Sequence, residues 1–377
     1  MIANQKHLFN IPDHITYLNC AYMSPQMRCV SEAGHQGVMF KESPWQVYPE
    51  NFFTTSEQAR RLFAAMIDAE ADDIAFIPAA SYGISVAAKN LTVKTGEKII
   101  VLEDQFPSNV YPWDALAKEK GGIFHTVRRP EDGDWTRAIL ATLDEKTAIV
   151  SLPHCHWTDG SLLDLVKIRN RCDTIQAALV VDGTQSLGAL PFSVKDIRPD
   201  FLVGVCYKWL LGPYSLGFMY VNPAYQGGEP LEYNWINRKN SEDFAGLVNY
   251  QQEFQSGARR FDVGERSNFT LMPMAVAALT QILQWQVTEI ADTLTTLTNH
   301  IAEEAEQLQL TVAPSHLRAG HMLGLQFSKG VPKEIVQQLA HNRIFVSVRG
   351  HSIRISPHLY NTVEEIDRLF AILKKGY

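Results

Sequence analysis

Between residues 72 and 222, short and continuously apolar runs alternate with longer segments of mixed polarity. The runs Lys98–Leu102, Gly122–Val127, Ala148–Leu152, Ala178–Asp182, Asp200–Cys206 and Gly217–Val221 are apolar at consecutive positions. That pattern predicts strands buried on both faces rather than on one. Ser81–Asn90, Trp113–Lys120, Trp135–Leu143 and Leu162–Ala177 lie between them and have helix-like composition. The alternation predicts an α/β fold with a mostly parallel sheet between helices. In such sheets ligands bind beyond the carboxyl ends of the strands, so those ends are where chemistry is sought.

Downstream the pattern changes. Residues 223–269 are irregular and polar, and Leu271 to about Leu308 reads as one long helical stretch, broken or not, joining two domains. The remainder predicts strand Met322–Phe327, helix Pro332–His341, strands Ile344–Val348 and Ser352–Ser356, and helix Val363–Lys375. This is the outline of a small α+β domain. A length of 377 residues fits two or three domains. With 46% hydrophobic and 20% charged residues, the chain is neither disordered nor collagen-like nor a coiled coil. Its net charge of −7 and lack of a basic stripe speak against nucleic acid as partner. Five cysteines, none at CxxC spacing, speak against a disulfide framework or zinc ribbon. No leader-like segment opens the sequence and no apolar run approaches a membrane span, which predicts a cytoplasmic protein with no membrane partner.

Two strand ends carry reactive groups. ALVVDG places Asp182 at the end of a buried strand, where a plain turn aspartate is the competing reading. Lys208, in VGVCYKWLLGP, follows the next strand, where desolvation would lower its pKa and make its amine a nucleophile. Alone it reads better as a lysine reaching out to solvent. Neither GxxxxGK[ST] nor GxGxxG occurs, which removes the main support for phosphate-loop and dinucleotide folds. Together the acid and the amine are more specific. Pyridoxal phosphate needs a lysine for its Schiff base and an acid to keep its ring nitrogen protonated.

The segment DGTQSLGALPFSVKDIRPDFLVGVCYKWLLGPYSLGFMYV is similar to the signature of class V aminotransferases, the group that contains cysteine desulfurases and kynureninases. The resemblance runs from YLNCAYMSP (Tyr17–Pro25) to RISPHLYNTVEEIDRL (Arg354–Leu369). It implies a fold type I pyridoxal-phosphate enzyme. It implies an N-terminal segment, 1–20, belonging with the small domain, a large domain over 21–270, and a linking helix with the small domain over 271–377. It further implies a homodimer with shared active sites. Carried over, Lys208 is the Schiff-base lysine, Asp182 the partner of the pyridine nitrogen and Gln185 the partner of the ring hydroxyl. Ala80 and Ser81 match the phosphate-binding turn, Tyr207 a phosphate-contacting tyrosine, and Phe106 the aromatic that stacks on the cofactor in kynureninases.

His154-Cys155-His156-Trp157-Thr158-Asp159-Gly160 matches the family loop beneath the cofactor, with Trp157 where desulfurases keep an asparagine. A metal site at His154 and His156 is the rival, but HxH at a strand end supplies no third ligand, and no metal is expected. Arg354 matches the arginine that holds the substrate carboxylate. The loop that carries the persulfide cysteine in sulfur-mobilising desulfurases is missing, and no cysteine follows Cys206. Arg266, Ser267 and Asn268 in GERSNF match a loop that reaches the other subunit's phosphate, and Trp235 is a candidate for a similar role. Tyr22 and Trp45 fall in a region that often lines the substrate pocket. The resemblance implies an enzyme acting on an amino acid through an external aldimine, foremost a transaminase. The alternative is a lyase of the kynureninase or cysteine C–S lyase type. A cofactor-binding regulatory protein on the same fold is the non-enzymatic rival, and the retained lysine, acid and arginine speak against it.

Overall fold

The computed structural model describes residues 1–376. The strands in chain order are β1 (Thr16–Tyr17), β2 (Ile74–Ile77), β3 (Lys98–Leu102), β4 (Ile123–Val127), β5 (Thr147–Pro153), β6 (Ala178–Asp182), β7 (Phe201–Val205), β8 (Gly217–Val221), β9 (Leu323–Gln326), β10 (Ile344–Phe345), β11 (Ser347–Arg349) and β12 (Ser352–Ile355). The helices are α1 (Arg28–Phe40), α2 (Thr54–Met66), α3 (Ala80–Asn90), α4 (Tyr111–Lys120), α5 (Trp135–Thr142), α6 (Leu165–Ile175), α7 (Val194–Ile197), α8 (Leu271–Trp285), α9 (Val287–Gln307), α10 (Lys333–His341) and α11 (Val363–Gly376).

Seven strands form the central sheet in the order β2-β8-β7-β6-β5-β3-β4. Only β8 runs against the others, pairing antiparallel with both β7 and β2. Consecutive residues of one strand feed opposite cores. Ile99 and Val101 pack with Ile84 and Trp113 of α3 and α4, whereas Ile100 and Leu102 join the core that holds Phe63, Ile168 and Ile282 of α2, α6 and α8. This is why the strands read as unbroken apolar runs. Each such side chain withdrawn from water contributes roughly 1.5–3 kcal/mol. β2 (Ile-Ala-Phe-Ile, buried throughout) is a strand that the sequence pattern leaves unassigned.

Chain order reverses between β3 and β5, since β4 lies on one side of β3 and β5, β6 and β7 follow on the other. That switch point opens a crevice at the carboxyl ends of the strands.

The second, smaller sheet is antiparallel, β11-β12-β9, with α10 and α11 beside it. The expected single strand over Ile344–Val348 is two short ones: β10 pairs parallel with β1, and β11 turns back on β12. The N-terminal segment thereby forms a separate two-stranded ladder with β10, and Gln5 N–H donates to the Leu359 carbonyl at 2.8 Å. The long helical stretch is broken at Gln286, whose φ of +63° ends α8 before α9 begins. Among the described residues no helix is long and apolar enough to cross a membrane.

Candidate active site

The ends of β3, β5, β6 and β7 and the start of α3 surround a cavity of about 510 Å³. Asp182, the last residue of β6, lines it at 7% exposure. Lys208, three residues beyond β7, lines it at 6%. Burial, with the Arg354 guanidinium as a second cause, brings the lysine amine down to about 8, against the opposing pull of Asp182. Burial raises the Asp182 carboxyl, while hydrogen bonding from Thr184 and the charge of Lys208 oppose that rise. Its Oδ1 accepts the Thr184 backbone N–H at 3.0 Å.

Phe106 and Tyr207 flank the amine, their ring centroids 5.5 and 5.6 Å from Nζ. The turn carrying Phe106 is held from below: Gln105 donates to the carbonyls of Asn109 and Ser151, and its Oε1 accepts the Leu102 N–H. Trp157 meets Phe106 edge-on at 5.4 Å and donates its indole N–H to the Asp104 carbonyl at 2.6 Å. Gln185 lines the floor with a fixed amide. Its Nε2 donates to the Ala21 carbonyl at 3.1 Å and its Oε1 accepts from the Trp209 indole at 3.0 Å, so any polar contact it offers a ligand is the remaining N–H. At the other end α3 begins without a side-chain cap, and among the described residues nothing accepts from the Ala80 and Ser81 backbone N–H groups. A bare helix start of this kind suits a phosphate.

Arg354, on β12, is 1% exposed. Its Nη1 donates to the Trp157 carbonyl at 2.6 Å, but Nε and Nη2 are buried without a partner. Burial and the nearby Arg349 lower its pKa to about 9. Gly324, opposite Arg354 on β9, lets the loop approach: a Cβ there would lie 2.9 Å from that of Asp159.

The two loop histidines do not converge. His154 meets Phe192 edge-on, and burial drives its pKa down to about 4. His156 stacks on Trp135 and is hydrogen-bonded to the Glu103 carbonyl and the Thr158 hydroxyl. Among the described residues no group of three or more His, Cys, Asp or Glu side chains could hold a metal. Cys20, Cys155 and Cys206 are buried, and burial raises all three thiols, Cys20 to about 12.

Lys208, Asp182, Gln185, Ala80, Ser81, Phe106, Tyr207 and Trp157 therefore share one cavity. Tyr22 is exposed and does not line the cavity. Trp45 is not brought to the cavity and stands 73% exposed in a short 3-10 turn. Trp235 packs on Phe52 and Phe244, and Ser267 and Asn268 line a separate groove with Gly37 and Phe40. Arg266 is buried inward, paired with Asp262 and bonded to the Ser56 hydroxyl. Sequence reasoning missed Thr184, Trp209 and Arg349. The first two sit beside recognised residues, and Arg349 is visible only as the arginine across a two-residue turn from the strand of Arg354.

A free helix start, a buried lysine beside a buried acid and a facing aromatic ring form a donor set that fits pyridoxal phosphate. The family model for class V aminotransferases matches residues 46–369. The chain is 26% identical over 350 residues to an uncharacterized aminotransferase, YcbU, of Bacillus subtilis, covering 92% of this chain and 89% of the relative. It is 24% identical to a probable cysteine desulfurase of Pyrococcus abyssi, over 85% of this chain and 82% of the relative. Among solved structures it is similar to a variant of the protein C-DES with glycine covalently linked to its pyridoxal-phosphate cofactor, with a TM-score of 0.87, 20% identity and 98% of each chain covered.

Proposed function

The chain belongs to the class V aminotransferase family of pyridoxal-phosphate enzymes, and we propose that within it the protein is a transaminase acting on an amino acid. The observation that carries the proposal is Lys208: a buried amine near neutrality, beside Asp182, opening into the cavity. When bound, pyridoxal phosphate supplies an electron-accepting ring conjugated to the reacting carbon. The Ala80 and Ser81 N–H groups would hold its phosphate, Asp182 the proton on its ring nitrogen, and Gln185 its ring hydroxyl through the one free N–H. Arg354 has two adjacent nitrogens free to take a carboxylate side-on. Phe106 and Trp157 keep water from the reacting face. Lys208 Nζ would take the proton from the α-carbon and hold it for delivery to the second reacting carbon, and an amine near 8 can both accept and release it close to neutral pH.

Transamination asks the protein for one base that serves two carbons, and Lys208 meets that need. Sulfur transfer asks for a reactive thiol as well. No cysteine follows Cys206, and the thiols of Cys20, Cys155 and Cys206 are held protonated by burial. A second reading, a lyase, is favoured by one observation: Tyr207 and Tyr214 stand together at the lysine end of the site, where a hydroxyl can protonate a leaving group. The exposed aromatics around Trp235 and the groove at Ser267 and Asn268 support a homodimer in which each subunit completes the other's site.

The test is the absorbance of the purified, cofactor-loaded protein against a panel of amino acids. A transaminase converts stoichiometrically to the pyridoxamine form and releases a keto acid. Release of alanine, sulfide or ammonia with the starting spectrum restored would establish the lyase instead.

A further inference from the structure

The β11–β12 hairpin places two arginines, not one, against Trp157, which lines the cavity. Arg354 pairs with Ser347, and Ser347 and Arg349 lie two residues apart on one strand. Side chains two apart on a strand share a face, so Arg349 and Arg354 are diagonal neighbours with Cβ atoms about 7 Å apart. Both turn toward the same loop: Arg354 donates to the Trp157 carbonyl, and the Arg349 guanidinium lies 5.4 Å from the Trp157 ring centroid.

The two are wired alike. Each spends Nη1 on a backbone carbonyl, Trp157 for Arg354 and Val348 for Arg349. Each leaves Nε buried with no partner. Neither has a carboxylate, whereas the buried arginines of the large domain do: Arg60 and Arg266 pair with Asp262, and Arg169 with Asp200. An unpaired guanidinium withdrawn from water, as that of Arg354 is, is costly unless an anion arrives, while Arg349 is half-buried and among the described residues has no acid beside it. The charges that act on Lys208 are the cations Arg354 and Arg349 and the acid Asp182. One α-carboxylate answers Arg354 and leaves Arg349 unanswered.

We propose that the substrate carries a second anionic group on its side chain, and that Arg349 binds it. The class is an acidic amino acid: a dicarboxylate, or its sulfonate counterpart. Trp157 would form the floor under the side chain. Arg349 then decides specificity and takes no part in the proton transfer. The inference rests on the amino-acid reading above.

The test uses inert acids, so that binding is read without turnover. Succinate, 3-sulfopropionate and propionate are titrated into the cofactor-loaded protein by calorimetry, for the native chain, Arg349→Gln and Arg349→Lys. We expect at least one of the two dianions to bind the native protein tenfold or more tightly than propionate, and which of them does so identifies the carboxylate or the sulfonate. Arg349→Gln should abolish that preference while leaving propionate binding unchanged, and Arg349→Lys should restore part of it. Equal affinities in the native protein would overturn the second-anion site, and so would an equal loss of all three acids in Arg349→Gln, which would make the residue scaffold. Failure of the parent reading looks different: the protein would take up no pyridoxal phosphate, or no amino acid would change its spectrum.

Discussion

Replacing Lys208 by Met tests the electrostatics of the site without any ligand. The side chain keeps its length and loses its charge. In the folded, ligand-free protein the amine is displaced from the ordinary 10.5 to about 8, chiefly by burial and then by Arg354. At about 1.4 kcal/mol per pH unit, that displacement is about 3 kcal/mol. Its sign follows from proton counting. Between pH 8 and 10.5 the unfolded chain binds more protons at this group than the folded one, so native stability rises with pH through that window. Below pH 8 the full penalty of a buried charge is present, and above 10.5 it is gone. Lys208→Met should therefore be the more stable protein by about 3 kcal/mol at pH 7, with the advantage largely gone at pH 10.5. Urea denaturation of the two ligand-free proteins at both pH values measures this. The same displacement leaves about a quarter of the amine neutral at pH 7.5, against about one part in a thousand for an ordinary lysine. A stability difference that is the same at both pH values would refute the reasoning, because packing does not titrate.

Asp182→Asn keeps an oxygen for the Thr184 N–H and removes a buried charge, so fold and cofactor uptake should survive while turnover falls by about 10²–10³, read by steady-state kinetics and absorbance. Gly324→Ala should push the Asp159 loop away from β12, costing about 1–3 kcal/mol in denaturation and raising the KM for the amino acid, since Arg354 and Trp157 would lose register. Trp209→Phe frees the Gln185 amide to turn over and should change the absorption maximum of the loaded protein; an unchanged spectrum would show that the Trp209 hydrogen bond does not orient Gln185. Mass spectrometry after turnover with cysteine should find no persulfide on Cys20, Cys155, Cys172 or Cys206, whose thiols burial raises.

The sheet was legible because its strands are buried on both faces, which leaves continuous apolar runs with few alternatives. β2 escaped because four residues, Ile74–Ile77, lie against a polar stretch and are completed as a strand only by pairing with β8. The split of Ile344–Val348 escaped for a related reason: β10 exists through its partner β1, more than 300 residues away in sequence. Within the site, Lys208 and Asp182 were readable as polar residues ending apolar runs. Arg349 was not, since one more arginine beside a glycine resembles a solvent-facing turn. Only the hairpin register places it on the face of Arg354. Ser267, Asn268 and Trp235 lie away from the cavity of their own chain, so no local pattern in the sequence ties them to it.

The central claim is that Lys208 is the residue to which the cofactor attaches. Incubation with pyridoxal phosphate, reduction with borohydride, digestion and peptide mapping address it directly. One stoichiometric phosphopyridoxyl label is expected, on the peptide containing Lys208. A label on another lysine, or none at all, would contradict it.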